Sequence, residues 1–478
     1  MRKLHDHGAA AARPQWSRKC LGLALAVGFA GVPVIALVPA AAASPPVCSV
    51  RDVTPMHLAT YLGAGALQSA VNAATAGDTL TVSGTCMGDT TITKNLTVTG
   101  SGTLDGTGSA GSVVSVTDGV VATIGGLDIT GGTGNYDVGG YAPTTFGGGI
   151  DNAGTLTLAN TSVSHNTAGD GGGIFNDVGA KLALGGRSGT SVNTNTATGF
   201  GGGGIYNYKG TVTSTNATVS GNTASGGSVI GGGGIFNHDG TVWLGSRTTS
   251  GTSVNANTAP AGGGIYNYDI ASRLTLDNAQ VNRNAVTGLG GGILNASALT
   301  ATLIDTSVSL NRAASGGGVY NSGTLALRNA EADGNAATVY GGGIFNDLGG
   351  VLSVVDTTVH ANTAGNVGAG IASNGVAKLT DSVVSANVSK TGGGGIYSHD
   401  TSLTLNDSSV ARNTAPLGGG IYAWGGGTVT LHPFSTVDRN TATTVHGGGG
   451  IYYYGGTTLS GVKPGVNVKY NTHGNVVA

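Results

Sequence analysis

Residues 147–166 read Gly147-Gly-Gly-Ile150-Asp-Asn-Ala-Gly-Thr-Leu156-Thr-Leu158-Ala-Asn-Thr-Ser-Val163-Ser-His-Asn166. The stretch contains three short runs in which apolar and small polar residues alternate, and Gly, Asn, Thr and Ser separate the runs. Alternation with a period of two is typical of half-buried β-strands, and no run is long enough for a helix. The stretch therefore predicts three short strands joined by tight turns.

The same sequence pattern recurs about twelve times, with two anchor positions in each copy. The first anchor, which follows the Gly run, falls at Ile150, Ile174, Ile205, Ile235, Ile265, Ile293, Val319, Ile344, Ile371, Ile396, Ile421 and Ile451. The second anchor falls at Asn166, Asn195, Asn222, Asn257, Asn284, Asn311, Asn335, Asn362, Asn387, Asn413, Asn440 and Asn471. A Val precedes each of these Asn residues by three positions, except at Ala332.

Such repeats bury their apolar faces against their neighbours and therefore stack. We predict an all-β fold, a single-stranded right-handed parallel β-helix of about 14–15 coils with three short strands per coil. The anchor Ile, the Leu-x-Leu pair and the Val are expected to point into the core. Asn residues two positions after eight successive anchors, Asn152 to Asn346, are expected to stack as a hydrogen-bonded ladder.

The chain divides into four predicted regions. Residues 1–43 resemble a secretory signal peptide, with a basic start, an apolar stretch and Ala41-Ala42-Ala43 before the expected cleavage point. An uncleaved membrane anchor is the alternative. Residues 44–78 are expected to form an N-terminal cap with a short helix, residues 79–146 the lead-in coils, and residues 147–478 the Gly-Gly-Gly-Ile repeats.

The net charge and the cysteine content indicate in which compartment the protein acts and which partners are excluded. Removal of residues 1–43 lowers Lys+Arg from 21 to 16 and Asp+Glu from 23 to 22, so the mature chain is acidic. This balance argues against nucleic acid as a partner, and we expect no membrane span after signal cleavage. In an exported chain, Cys48 and Cys86 are expected to form a disulfide, with two free buried thiols as the alternative.

The paired Gly-Gly-Gly-Ile and Val-x-x-Asn motifs resemble the repeat of chlamydial polymorphic outer membrane proteins, which pairs Gly-Gly-Ala-Ile with Phe-x-x-Asn. The lead-in, from Leu67 to Val82 and from Thr93 to Val98, is similar to that of secreted right-handed β-helix proteins of the pectate-lyase-like superfamily. The resemblance covers about residues 65–475. It implies a β-helix fold and, for the first family, surface exposure and adhesion.

The position after the anchor is aromatic in most coils and is expected to face outward. These residues form a candidate aromatic stripe of Phe175, Tyr206, Phe236, Tyr266, Tyr320, Phe345, Tyr397, Tyr422 and Tyr452. Flat amphipathic rings suit sugar faces and protein interfaces, which makes the stripe a candidate binding track. Alternatively, the rings only stabilise the sheet by stacking on one another.

Other candidate residues lie beside the stripe and in irregular segments. Candidates for Ca²⁺ binding are Asp177, Asp239, Asp269, Asp347 and Asp400. The alternative is that these residues form Asx turns. The longest irregular loop carries Tyr136, Asp137 and Tyr141, and insertions two coils apart carry Arg187 and Arg247. We predict no other metal and no cofactor.

The scattered Asp residues contain no adjacent pair, so the sequence favours a non-enzymatic function. The leading hypothesis is a secreted or cell-surface protein that binds a polysaccharide or a cell-surface protein in adhesion. The alternatives are a polysaccharide lyase or glycoside hydrolase and a purely structural envelope component. The sequence does not indicate an oligomeric state.

Overall fold

The computed structural model describes residues 47–137, 144–226, 231–247, 251–296 and 300–478. It is a right-handed parallel β-helix of about 14 coils, which confirms the predicted fold class. Within the described residues there is one α-helix, Ala66–Ala73, and no helix combines the length and hydropathy of a membrane span. The predicted signal peptide, residues 1–43, lies outside the described residues.

Four stacked sheets make up the described coils, and we name them after their repeat residues. The anchor sheet contains Thr90–Ile92, Val114–Val116, Ile150–Asn152, Ile174–Asn176, Ile205–Tyr208, Ile235–His238, Ile265–Tyr268, Ile293–Asn295, Val319–Asn321, Ile344–Asn346, Ile371–Ser373, Ile396–His399, Ile421–Trp424, Ile451–Tyr454 and Val476–Val477. The leucine sheet contains Thr79–Ser83, Leu96–Gly100, Val121–Gly125, Thr155–Ala159, Lys181–Gly185, Thr211–Ser214, Thr241–Gly245, Arg273–Asp277, Thr300–Ile304, Thr324–Arg328, Val351–Val355, Val376–Thr380, Ser402–Asn406, Thr428–Leu431 and Thr458–Ser460.

The valine sheet contains Thr85–Met87, Thr103–Asp105, Asp128–Thr130, Ser162–Ser164, Thr190–Asn193, Ala217–Ser220, Ser253–Asn255, Gln280–Asn282, Ser307–Ser309, Glu331–Asp333, Thr358–His360, Val383–Ser385, Ser409–Ala411, Thr436–Asp438 and Val468–Lys469. The Thr-Ala sheet contains Thr167–Ala168, Thr196–Ala197, Thr223–Ala224, Thr258–Ala259, Ala285–Val286, Arg312–Ser315, Ala336–Tyr340, Thr363–Ala364, Val388–Ser389, Thr414–Ala415 and Thr441–Ala442. A separate antiparallel pair joins Asn135–Asp137 to Thr144–Phe146.

Each strand pairs in parallel with its counterpart in the next coil, and the anchors stay in register. Ile150 pairs with Ile174, for example, and Leu156 with Leu182. Each strand of the Thr-Ala sheet is the fourth strand of its repeat, after the three that the sequence predicts. It was not predicted because a two-residue strand leaves no alternating pattern in the sequence.

The core consists of stacked aliphatic side chains, as the alternation predicts. Ile150, Leu156, Leu158 and Val163 are all fully buried, and their counterparts in later coils are buried with them. Each such side chain contributes roughly 1.5–3 kcal/mol relative to an exposed one. The core therefore runs continuously through the described coils.

Two buried Asn ladders line the solenoid. The predicted ladder is present: the Nδ2 of Asn152 donates to Asn176 Oδ1 at 2.7 Å, and the chain of bonds continues to Asn346, whose Nδ2 donates to the hydroxyl of Ser373 at 3.0 Å. The second-anchor Asn residues form another ladder, from Asn166 to Asn471. Both ladders satisfy turn backbone groups that the sheets leave unpaired.

The N-terminal end is closed by a cap. Ser49–Asp52 pairs antiparallel with both Ala59–Leu62 and Thr79–Ser83, and so extends the leucine sheet backwards. The helix Ala66–Ala73 buries Leu67 and Val71 in the main core. Cys48 and Cys86 form the predicted disulfide, which ties the start of the cap to the first strand of the valine sheet.

Candidate functional site

The aromatic stripe follows the outer side of the anchor sheet, but its rings differ in exposure. Six rings are 3–9% exposed and all belong to an apolar cluster separate from the main core: Phe175, Tyr206, Phe236, Tyr266, Tyr320 and Phe345. Neighbouring rings lie close together, with centroids 5.3 Å apart for Phe175 and Tyr206 and 4.9 Å apart for Tyr206 and Phe236. These six residues are therefore largely withdrawn from solvent.

Glycine segments lie against the rings. A Cβ on Gly231 would lie 3.0 Å from Cδ1 of Tyr266, and one on Gly392 would lie 2.3 Å from Cδ1 of Tyr422. The chain that leaves the Thr-Ala sheet can approach the aromatic rings because these positions lack side chains. Alternation along a strand cannot reveal this cover, since the covering residues come from a different part of the coil.

The stripe becomes accessible in the last coils. Tyr397, Tyr422 and Tyr452 are partly exposed, and their ring centroids lie 5.5 Å apart in each successive pair. Ala372 replaces a ring in the stripe just before Tyr397, which still packs against the end of the buried cluster. These three residues form the first row of a surface that we call the C-terminal platform.

A second row runs beside the first, three residues after each anchor. It consists of His399, Trp424 and Tyr454, which are in register in adjacent strands. The imidazole of His399 stacks on the indole of Trp424, with centroids 4.4 Å apart and planes 10° apart. Trp424 is 41% exposed and Tyr454 is 63% exposed. The platform therefore carries two rows of rings across three coils.

Sequence reasoning missed the second row because it considered only the position directly after the anchor. The same position is aromatic or His in three earlier coils, at Tyr208, His238 and Tyr268. In all six coils the anchor strand has four residues rather than three. The side chain of the fourth residue lies on the same face of the strand as the first row, because side chains alternate between faces. A search for aromatic residues both one and three positions after each anchor would have found the second row.

A carboxylate borders the platform at one edge. Asp400 Oδ2 lies 3.1 Å from Nε2 of His399, and Oδ1 accepts a hydrogen bond from the amide of Gly426 at 2.7 Å. Burial raises the pKa of Tyr397 to about 12, and it also raises the pKa of Tyr422. Both phenols are thus neutral at physiological pH and can donate and accept hydrogen bonds.

The earlier group of rings surrounds His238. Its Nδ1 lies 2.8 Å from the hydroxyl of Tyr206, and its ring centroid lies 5.3 Å from that of Tyr268. Burial lowers the pKa of His238, which keeps the imidazole neutral at pH 7. Nitrogen and oxygen atoms of His238, Asp239 and Asp269 lie within 4.8 Å of one another, which is close enough to share a cation.

The five candidate Asp residues lie in turns next to the anchor strands. Asp177 and Asp269 each accept a hydrogen bond from the next amide, and Asp239 and Asp400 accept bonds from chain one coil further on. Asp347 accepts the hydroxyl hydrogen of Tyr320. Asp177 and Asp269 thus bond within their own turns, whereas Asp239, Asp347 and Asp400 bond to neighbouring coils. Calcium binding by any of them stays a prediction.

The candidate loop is described only in part. Tyr136 is 62% exposed and lies in the antiparallel pair beside the first repeat coil. The side chain of Asp137 and the whole of Tyr141 lie outside the described residues. Arg187 and Arg247 each follow a leucine-sheet strand, and Nε of Arg247 lies 3.5 Å from a carboxylate oxygen of Asp277.

Comparisons with protein-family models, with curated proteins and with solved structures each found no match.

Proposed function

We propose that this protein is an extracellular binding protein that holds an uncharged glycan on its C-terminal platform. The observation that carries the proposal is the double row of partly exposed rings, with Trp424 and Tyr454 as its most open members. Aromatic faces pack against the C–H faces of sugar rings, and Tyr hydroxyls supply hydrogen bonds at the rim. This chemistry matches the rings present on these three coils.

The arrangement of the rows favours an extended ligand. Coils repeat at about 4.8 Å along the solenoid axis, so equivalent rings recur at that interval. A polymer with its own regular repeat can contact several coils at once, and linked contacts of this kind raise the overall affinity without new chemistry. The rows point along the axis, and the ligand is therefore expected to lie parallel to it.

Charge favours a neutral ligand over an anionic one. Within the platform the charged group is the Asp400 carboxylate, which borders His399. Its position would repel a uronic-acid chain lying along the second row. Because a neutral sugar hydroxyl can donate to the same carboxylate, Asp400 is suited to orienting an uncharged glycan.

Further support comes from the chain outside the platform. The signal-peptide pattern of residues 1–43 and the Cys48–Cys86 disulfide are both typical of exported proteins. The resemblance of the repeat to polymorphic outer membrane proteins agrees with an adhesive role at a cell surface. The lyase or hydrolase alternative and the structural alternative stay predictions.

The test is retention by immobilised or gel-embedded polysaccharides. The mature protein is run through native gels that contain neutral or acidic polymers, beside a Trp424→Ala/Tyr454→Ala variant. We expect a neutral polymer to retard the wild type and the variant to lose at least about tenfold in affinity. Tyr470→Ala is the matched control, since that ring is 70% exposed but follows the last strand of the valine sheet, Val468–Lys469, outside both rows.

Two results would overturn the proposal. One is a failure of every neutral polymer to retard the wild type, and the other is equal retardation of wild type and double variant. Thermal unfolding of each variant accompanies the gels. A variant that loses stability while the wild type binds nothing would indicate that the rings only stabilise the sheet.

A further inference from the structure

A second candidate site lies on the leucine sheet, away from the platform. Described residues line an open groove with a volume of about 260 Å³: Thr213, Ser214, Thr215, Trp243, Gly245, Ser246, Arg247 and Asp277. The groove combines a flat ring, a cation, a carboxylate and hydroxyl groups. It is smaller than clefts that hold drug-sized molecules, so its size suits one small ring.

Gly245, at the end of its leucine-sheet strand, forms part of the groove wall. Gly245 is in register with Asp277 of the next coil. A Cβ on Gly245 would lie 1.9 Å from the backbone oxygen of Asp277, and its φ is +95°. No larger residue fits this position without moving the backbone, so glycine is required where the strand passes close to Asp277.

Asp277 is an unusual carboxylate at the base of the groove. The residue is 7% exposed, and its Oδ1 has no hydrogen-bond partner among the described residues. The other oxygen, Oδ2, lies 3.5 Å from Nε of Arg247, whose side chain is 69% exposed. Because a buried acceptor without a donor is costly, a ligand donor that reaches the Asp277 carboxylate from the groove would be stabilised there.

Trp243 supplies the apolar wall. It lies in the middle of Thr241–Gly245, its side chain points away from the core, and 52% of its surface is exposed. Its strand neighbours are Thr213 and Thr275, which are smaller. The indole therefore stands above its surroundings, where one face can receive a ring.

We propose that this groove binds a single uncharged sugar ring, with its C–H face on Trp243. One hydroxyl donates to the Asp277 carboxylate, and an adjacent hydroxyl accepts from Arg247. Asp277 and Arg247 carry opposite charges 3.5 Å apart, so this pair adds no net charge that would favour an anion or a cation over a neutral ring. A neutral ring with two neighbouring hydroxyl groups satisfies both charged partners at once.

The groove and the C-terminal platform are independent sites. Seven steps of the leucine sheet separate the strand of Trp243 from Thr428–Leu431, which follows Trp424, a distance of roughly 30 Å at the usual strand spacing. The groove proposal does not rest on the platform, and either site can fail without the other. Their variants accordingly serve as controls for each other.

Tryptophan emission offers a direct test. Of the three Trp residues, Trp16 lies in the predicted signal peptide, so a mature Trp424→Phe variant retains Trp243 as its indole. This variant is titrated with methyl pyranosides of glucose, galactose and mannose, and with methyl galacturonoside as the acidic probe. We expect a saturable emission shift with at least one neutral glycoside, of millimolar affinity, and none with the acidic one.

Substitutions in the groove decide the assignment. Asp277→Asn and Arg247→Ala are each expected to lower the affinity for the neutral glycoside at least about tenfold, because each removes one polar partner of the sugar. Arg187→Ala, in the corresponding insertion two coils earlier, is expected to leave it unchanged. Circular dichroism checks that Asp277→Asn is folded, and Arg247→Ala tests the same site from an exposed residue.

Three outcomes would overturn the proposal: no shift with any neutral glycoside, a stronger shift with the galacturonoside than with galactoside, or an unchanged titration in Arg247→Ala. If no glycoside shifts the emission while polysaccharide still retards the wild type, the groove proposal is wrong and the platform proposal stands. The reverse pattern would exclude the platform and leave the groove.

Discussion

Oδ1 of Asn284 accepts two hydrogen bonds from Asn257 in the preceding coil, one from the backbone amide at 2.9 Å and one from Nδ2 at 3.0 Å. Asn284 in turn donates from Nδ2 to Asn311 Oδ1 and to the carbonyl of Val254. Both Asn257 and Asn284 are fully buried. One side chain thus satisfies backbone and side-chain groups in three coils.

Replacement of Asn284 by Ala should therefore be costly. The change removes the acceptor of the buried Asn257 amide and one of the two acceptors of Asn257 Nδ2, at about 1–3 kcal/mol for each unsatisfied group. We expect the free energy of unfolding to fall by about 3–5 kcal/mol in urea titrations. Asn282→Ala, on the partly exposed side of the same coil, should change it by under about 0.5 kcal/mol. Equal effects of the two changes would contradict the ladder's role.

Loss of the disulfide should loosen the N-terminal cap. Cys48 and Cys86 are separated by 38 residues, and closing a loop of that length stabilises by roughly 3–4 kcal/mol in the chain-entropy model. In a Cys48→Ser/Cys86→Ser variant, we expect faster amide exchange in residues 47–100. Residues 300–478 should keep their protection, because in a solenoid each coil contacts mainly its neighbours. Uniform loss of protection along the chain would argue against this local effect.

Asp170 should make stability depend on pH between about 4 and 6. Burial raises the pKa of its carboxyl from 3.8 to about 6, although the amides of Phe200 and Gly201 donate to it. The folded state holds this proton more tightly than the unfolded state does. The stabilising contribution is therefore complete below pH 3.8 and is lost as pH rises to about 6, a change of about 3 kcal/mol.

The variant Asp170→Asn isolates this effect. Asn keeps an acceptor for the two amides but does not ionise, so its urea midpoint should fall less between pH 4 and pH 7 than that of the wild type. Asp128→Asn, which changes an exposed carboxylate, serves as the control. If Asp170→Asn followed the wild-type pH profile, the buried carboxyl would not be its source.

Gly392→Ala should displace a ring of the C-terminal platform. The new methyl group would lie 2.3 Å from Cδ1 of Tyr422, so the ring or the chain above it must move. We expect a loss of about 1–3 kcal/mol in stability, together with weaker polysaccharide retention. At Gly426, by contrast, the nearest atom to an added methyl group is Asp400 Oδ1 at 3.9 Å. Gly426→Ala should therefore unfold at nearly the wild-type temperature.

The two cysteines ahead of the repeats predicted the Cys48–Cys86 disulfide of an exported chain. The repeat pattern by itself determined the solenoid, the inward Ile, Leu and Val residues and the first Asn ladder. Each follows from a local rule: alternation sets the face of a strand, and a constant unit stacks like on like. The tertiary structure alone decided which aromatic rings are covered, because Gly231 and Gly392 reach the rings from a different part of the coil. It also decided that Asp277 and Gly245 of the preceding coil line the same open groove. Such contacts depend on the register between coils and on the path of the turns, which a single repeat does not encode.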